Sequence, residues 1–145
     1  MYKFAQMNKS DRDFVFNKTA INKGITKGIV EKDFWVCVML DYLFTKSKYK
    51  NILTFKGGTS LSKGFNIINR FSEDIDLILD WTALGVGEAE PLNDRSNTKQ
   101  DLFNKSLNAK AEEFISNELL SDIKDNLSKL LKTEIDVAVD EKKNK

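Results

Sequence analysis

The stretch of sequence that decides the fold consists of two motifs, FKGGTSLSK at residues 55–63 and RFSEDIDL at residues 70–77. The first motif ends the apolar run Asn51–Phe55, a pattern that predicts a strand running into a tight loop. Residues 74–80 of the second alternate between polar and apolar, which predicts another strand. Helical periodicity over residues 59–69 separates the two. This order is expected to bring the strand ends side by side.

The loop at the end of the first strand has the residue types of a phosphate-binding loop. Two glycines permit positive φ and a close approach of the backbone to a ligand. Thr and Ser then open a helix, and the free N–H groups and dipole of a helix start favour a phosphate. The same residues also make an ordinary loop and helix cap, so the loop alone leaves both interpretations open. The candidate nucleotide-binding residues are Lys56, Gly57, Gly58, Thr59, Ser60 and Lys63.

The second strand carries a pair of carboxylates. Asp74 and Asp76 are two residues apart, so on a strand they share one face and can bind the same hard cation. The chain has no histidine, which leaves carboxylates as the candidates for metal or acid–base chemistry. The alternative is a polar strand face wetted by solvent.

Composition places the chain among ordinary soluble proteins. Its 145 residues suit one domain, and 41% are hydrophobic and 31% charged. The single cysteine, Cys37, excludes an internal disulfide, and no apolar run is long enough to span a bilayer, so we expect a cytoplasmic protein that does not contact a membrane. Residues 1–50 hold ten Lys and Arg against five Asp and Glu. That surplus could help to hold a polyanion, or it could be a solvated face.

Hydrophobic periodicity predicts the remaining elements. The expected fold class is α+β, a small mixed sheet covered by helices, in a single domain of residues 1–145. Its parts are N-terminal helices in 1–50, the loop and acidic strand in 51–80, and a loop, helices and a last strand in 81–145. The predicted elements are a helix from Ser10 to Gly24 with Phe14, Lys18 and Ile21 on one face, a largely buried helix over 29–44, a loop over 81–98, a helix over 98–132 broken near 117–121, and a strand over 134–140 with Ile135, Val137 and Val139 on one face.

Together the two motifs resemble the AbiEii/AbiGii toxin family of nucleotidyltransferases. The segment Glu31–Trp35 (EKDFW) also resembles that family's N-terminal stretch. The resemblance is close over residues 29–80, whereas residues 81–145 resemble the family only in being helical.

The resemblance implies a DNA-polymerase-β-like nucleotidyltransferase fold and a role in toxin–antitoxin or phage abortive-infection systems. It implies that the loop holds a nucleoside triphosphate and that Asp74 and Asp76 bind Mg²⁺ or Mn²⁺. Lys63 and Arg70 are candidates for phosphate or structural contacts. It further implies transfer of a nucleotide to an acceptor, transfer RNA in some relatives, and a cognate antitoxin as partner.

The chain departs from that family towards its C-terminus. Full-length relatives are about twice as long and carry a third catalytic carboxylate on a later strand, so the resemblance implies a truncated chain. Asp136, on the polar side of the last predicted strand, is the candidate for that third acid. Three alternatives stay open: an active enzyme, an inactive remnant that binds a nucleotide or antitoxin, and a helical adaptor with an apolar patch at residues 29–44.

Overall fold

The computed structural model describes residues 1–60 and 74–140. Three helices precede the first strand: α1 (Tyr2–Ala5), α2 (Lys9–Lys23) and α3 (Lys27–Asp41). The side chain of Asn8 caps α2 by accepting a hydrogen bond from the backbone N–H of Asp11, and Thr26 caps α3 by accepting one from Ile29. Helix α2 ends at Gly24, whose φ of 65° is left-handed. The predicted stop at Gly24 and the predicted helix over 29–44 are therefore confirmed.

The side of α2 that points to the core is not the face that carries Phe14, Lys18 and Ile21. Phe16 and Ala20 are buried, whereas Phe14 is 69% exposed and Ile21 is 81% exposed. Phe14, Lys18 and Ile21 do share a face, but that face lies in solvent. The buried side is the one on which Phe16 contacts Phe4 of α1 and Phe34 of α3 in an aromatic cluster.

That aromatic cluster explains part of the Glu31–Trp35 segment. Phe34 lies 5.0 Å from Phe4 and 5.6 Å from Phe16, centroid to centroid, and its ring also meets Trp35 edge-on at 5.1 Å. Edge-to-face contacts of this kind add to the burial of the rings. The aromatic residues of this segment therefore hold the N-terminal helices together.

The sheet consists of two antiparallel strands in the described residues, β1 (Leu53–Lys56) and β2 (Asp76–Leu79). The chain reaches β1 from α3 through one π-helical turn, Tyr42–Lys46. After β1, helix α4 begins at Gly57 and is described over Gly57–Thr59; the rest of the helix predicted over residues 59–69 lies outside the described residues. This small sheet in a helix-rich chain is compatible with the predicted α+β class.

Short 3₁₀ turns at Trp81–Leu84 and Glu90–Leu92 occupy the predicted loop. A long helical segment follows, formed by α5 (Asn97–Phe114), a π-helical turn (Ile115–Leu119), α6 (Leu120–Asp122), a second π-helical turn (Ile123–Leu127) and α7 (Ser128–Leu131). The helical segment is continuous where a break near 117–121 was predicted. A π turn inserts an extra residue, so the buried positions Phe114 and Leu119 are five residues apart rather than three or four. The sequence pattern loses its period there, but the helix does not end.

A buried carboxylate joins this helical segment to the chain that enters β1. Asp122 is 5% exposed, and its Oδ2 accepts hydrogen bonds from the Tyr42 hydroxyl at 2.7 Å and the Ser47 hydroxyl at 2.7 Å. Its Oδ1 accepts one from Asn126 Nδ2 at 2.9 Å. Burial, followed by the hydrogen bond to Asp122, raises the pKa of Tyr42 well above its ordinary value. Both oxygens of the carboxylate are thus satisfied.

The predicted strand over residues 134–140 is wrong. The segment keeps the expected alternation, since Ile135 and Val137 pack against the core while Glu134 and Asp136 are exposed. It does not pair with β1 or β2, however, because it lies against the helices, where the Ile135 N–H donates to Ser128 Oγ at 3.3 Å. The expected mixed sheet with a third strand is therefore an antiparallel pair in the part of the chain that the structure describes.

No helix in residues 1–60 or 74–140 has both the length and the apolar character needed to cross a bilayer.

We predict that Asp122→Ala lowers the free energy of unfolding by about 2 kcal/mol, because it removes the acceptor of the buried Ser47 hydroxyl and leaves the Tyr42 hydroxyl only the backbone carbonyl of residue 122, at 2.8 Å. Urea unfolding measures this loss. The matched control is Asp125→Ala, which removes an exposed carboxylate three residues along the same helical segment and should change stability by less than about 0.5 kcal/mol. Equal losses in the two variants would contradict a central role for Asp122.

Candidate functional site

The pairing of β1 with β2 brings the two sequence motifs together. Lys56, the last residue of β1, is the register partner of Asp76, the first residue of β2. Directly paired residues of antiparallel strands point to the same face of the sheet, and both of these side chains are exposed. The glycine loop therefore begins beside the acidic motif, as the order of the motifs predicted.

Side chains of β2 alternate between solvent and core. Asp74, Asp76 and Ile78 are exposed, whereas Ile75, Leu77 and Leu79 are half-buried. On the core side, Leu77 and Leu79 pack with Leu53 of β1 against the helices. This anchoring holds the backbone of the acidic motif while both carboxylates stay accessible, and it confirms the predicted alternation.

The two glycines of the loop have different surroundings. Gly57 has a φ of 78°, a left-handed conformation that side chains other than glycine rarely adopt. A Cβ at Gly57 would collide with Asp76 Oδ2 and would lie 2.9 Å from Asp76 Cγ. A Cβ at Gly58 would meet no described atom within 4 Å. Asp76 thus occupies the space beside Gly57, whereas no residue in 1–60 or 74–140 occupies the space beside Gly58.

The structure describes some of the other candidate nucleotide-binding residues. Ser60 is buried, with 7% of its surface exposed, so its hydroxyl does not lie open to solvent. Thr59 is in the helix start, and nothing is described of its side chain. Lys63 and Arg70 lie outside the described residues.

Asp136, the candidate third acid, lies in the extended segment 134–140. It lines a cavity of 760 Å³ between the N-terminal helices and α7, together with Arg12, Trp35 and Lys132. Neither the loop residues 56–60 nor the two acids of β2 line this cavity. Within residues 1–60 and 74–140, no three carboxylate or cysteine side chains come together in an arrangement suited to a metal ion. The structure thus groups Lys56, Gly57 and Asp76, with Asp74 on the same exposed face, and does not add Asp136 to them.

Asp80, four residues after Asp76, has a structural role. Its Oδ1 accepts hydrogen bonds from the backbone N–H of Thr82 at 2.9 Å and from the Thr82 hydroxyl at 2.8 Å, which caps the turn Trp81–Leu84. These bonds, the backbone one first, lower the pKa of Asp80 below its ordinary value. The capping role separates Asp80 from Asp74 and Asp76.

Comparison with known proteins identifies the family. Residues 39–141 match the family described as nucleotidyl transferase AbiEii toxin, type IV toxin–antitoxin system. The chain belongs to the AbiEii family. No curated protein and no solved structure matches the chain.

The extent of the AbiEii match differs from the resemblance read from the sequence. It begins at Met39 and so does not include the Glu31–Trp35 segment, whose aromatic residues form the N-terminal cluster. It continues to Glu141, through the long helical segment and Asp136, where only a general helical likeness was expected. The match to the AbiEii family, a nucleotidyltransferase-like toxin domain, therefore extends over the C-terminal part of the chain.

The residues present fit a hard divalent cation. Asp74 and Asp76 supply exposed carboxylate oxygens, and Mg²⁺ is commonly bound by one or two carboxylates together with phosphate oxygens of a substrate. In the loop beside them, a Cβ at Gly58 would meet no described atom within 4 Å, so the described residues leave space there. A two-carboxylate site completed by a triphosphate is chemically consistent with this donor set.

We predict that Asp80→Ala lowers the melting temperature and leaves Mn²⁺ affinity unchanged, because Asp80 caps a turn. The ionised carboxylate has a lowered pKa in the folded state, so its stabilisation is present above the ordinary pKa of 3.8 and is lost as the pH falls through the lowered value. Thermal melts of wild type and variant should accordingly differ at pH 7, and the difference should shrink as the pH falls through the lowered pKa. A large loss of Mn²⁺ affinity would show that Asp80 belongs to the metal site.

Proposed function

We propose that this AbiEii-family chain forms one nucleotidyltransferase-type domain, with a DNA-polymerase-β-like fold, that transfers a nucleotide from a nucleoside triphosphate to a hydroxyl acceptor. The observation that carries the proposal is the register pair Lys56–Asp76, which places the glycine loop against the acidic strand. The family match supports the same activity.

The residues of the loop and of the strand have different proposed roles, the loop in phosphate binding and the strand in metal binding. Lys56 supplies a positive charge beside the loop, and the open space at Gly58 lets phosphate oxygens approach the backbone. Asp74 and Asp76 would hold Mg²⁺ or Mn²⁺ through their carboxylate oxygens. A cation bound there would neutralise charge on the phosphate oxygens during transfer.

In the proposed reaction, the acceptor hydroxyl attacks the α-phosphorus in line with the bond to the leaving group. A new oxygen–phosphorus bond forms as the hydroxyl proton passes to solvent water. The bond between the α-phosphorus and the bridging oxygen to the β-phosphorus breaks, and pyrophosphate leaves with the electron pair of that bond. The chain contributes by fixing the triphosphate beside the acids, since positioning alone supplies a large part of such a rate enhancement.

The proposed acceptor is RNA, with transfer RNA as the specific candidate. The surplus of five positive charges in residues 1–50 supports a polyanionic acceptor. The proposed setting is a type IV toxin–antitoxin pair with a cognate antitoxin, in phage defence.

A second candidate is a domain that binds a nucleoside triphosphate without turning it over. The position of Asp136 favours this alternative, because the described structure places Asp136 on a cavity that neither acid of β2 lines. A site with two acids can still bind a cation and a triphosphate, whereas loss of a third ligand impairs the chemical step.

We predict that Asp74 and Asp76 bind one divalent cation together. Calorimetric titration with Mn²⁺ should show a binding isotherm for the wild type that disappears in Asp74→Ala/Asp76→Ala. The matched control, Asp136→Ala/Asp140→Ala, removes two carboxylates from residues 134–140 and should retain binding. Equal binding by wild type and the Asp74/Asp76 variant would refute the metal site.

We predict slow nucleotide transfer by the wild type, lost in Asp74→Ala/Asp76→Ala and little changed in Asp136→Ala. The measurement is incorporation of labelled nucleoside triphosphates into total RNA. Fast transfer that Asp136→Ala abolishes would show that Asp136 completes the site. Triphosphate binding without any transfer would instead support the second candidate.

A further inference from the structure

Gly57 and Gly58 are equivalent in the sequence motif but not in the structure. Of the two, only Gly57 has positive φ, and among the described residues a Cβ would collide with a neighbouring group at Gly57 and not at Gly58. The group it would meet is the side chain of Asp76, with Cγ at 2.9 Å and Cβ at 3.1 Å from the position of that Cβ. A real Cβ does not tolerate the first of these distances, so a side chain at Gly57 would have to displace the carboxylate.

The displacement cannot be absorbed by a simple shift of the strand. Asp76 is paired with Lys56 in the β1–β2 register, and the next inward residues, Leu77 and Leu79, pack against the core. The backbone at Asp76 is therefore held by its pairing with β1 and by the core packing of the residues that follow it. The Asp76 carboxylate would have to rotate away from the loop instead.

We propose that Gly57 is a positioning residue for Asp76: its missing side chain provides the space in which the carboxylate lies across the start of the loop. Gly58, beside which no described atom lies within 4 Å of a Cβ position, is then the glycine that a phosphate can approach. An effect of Gly57 on metal binding rests on the proposed function, in which Asp76 binds the cation. The packing of Gly57 against Asp76 does not depend on that function.

Alanine at position 57 should carry two separable penalties. One is the strain of positive φ, which depends on the backbone alone. The other is the collision with the carboxylate, which depends on what residue 76 is. A double-mutant cycle separates them, because a contact between two side chains appears as non-additivity.

The first experiment is therefore a set of thermal melts in the presence of a chelator. Gly57→Ala is introduced into the wild type, into Asp76→Asn, which keeps the shape of the side chain, and into Asp76→Ala, which removes the carboxyl group. We expect a large drop in melting temperature in the first two backgrounds and a clearly smaller drop in Asp76→Ala. If Gly57→Ala alone does not fold, recovery of folding on adding Asp76→Ala supports the proposal. Equal drops in all three backgrounds would overturn it, since positive φ alone would then account for the glycine.

The second experiment is Mn²⁺ titration of folded Gly57→Ala and of the matched control Gly58→Ala. We expect at least a tenfold loss of affinity in Gly57→Ala and less than a twofold change in Gly58→Ala. Equal losses in the two variants would overturn the division between the glycines. If the wild type binds no Mn²⁺, the proposed metal site fails, and the melting-temperature cycle still decides whether Gly57 accommodates Asp76.

Discussion

The buried carboxylate of Asp122 is the interaction on which the rest of the structure depends. It lies between the two π-helical turns of the C-terminal helical segment and accepts hydrogen bonds from Tyr42 and Ser47, at either end of the π turn that follows α3. Ser47 is six residues before β1, so this network fixes how the chain leaves the helices and enters the sheet. A buried charge is costly unless its hydrogen bonds are complete, and that requirement makes the arrangement specific.

The packing of the sheet on this core fixes the position of the candidate site. Leu53 at the start of β1 is buried in the same core as Tyr42, and its register partner is Leu79 at the end of β2. Once that pair is seated, the period-two alternation of the strands places Lys56 and Asp76 together on the solvent face. A slip of one residue would exchange the faces, bury Asp76 and expose Leu77. The hydrophobic face of the hairpin thus determines where the acidic face lies.

Much of the fold and site could be predicted from the sequence because the signals are local. The alternation of polar and apolar residues predicted the strand that contains Asp76. The glycine at position 24 predicted the end of α2, where the structure has a left-handed C-cap. Two features misled the periodicity. The π turn at residues 115–119 shifted the helical phase and produced the pattern of a break. Residues 134–140 kept the alternation of a strand but do not pair with β1 or β2, the two strands in the described residues. Asp122, at a core position between Leu119 and Ile123, was a detectable signal, because a lone acid among buried apolar residues requires partners.

The sequence by itself determined the order of the motifs, the α+β class and the family resemblance, which the match over residues 39–141 bears out. These depend on residue type and spacing along the chain. Only the tertiary structure decided which face of α2 is buried, where Asp136 lies, and that Gly57 rather than Gly58 faces Asp76. Each of these depends on which element packs against which. Periodicity specifies a face but not its partner, and two adjacent glycines are distinguished only by what lies beside them in space.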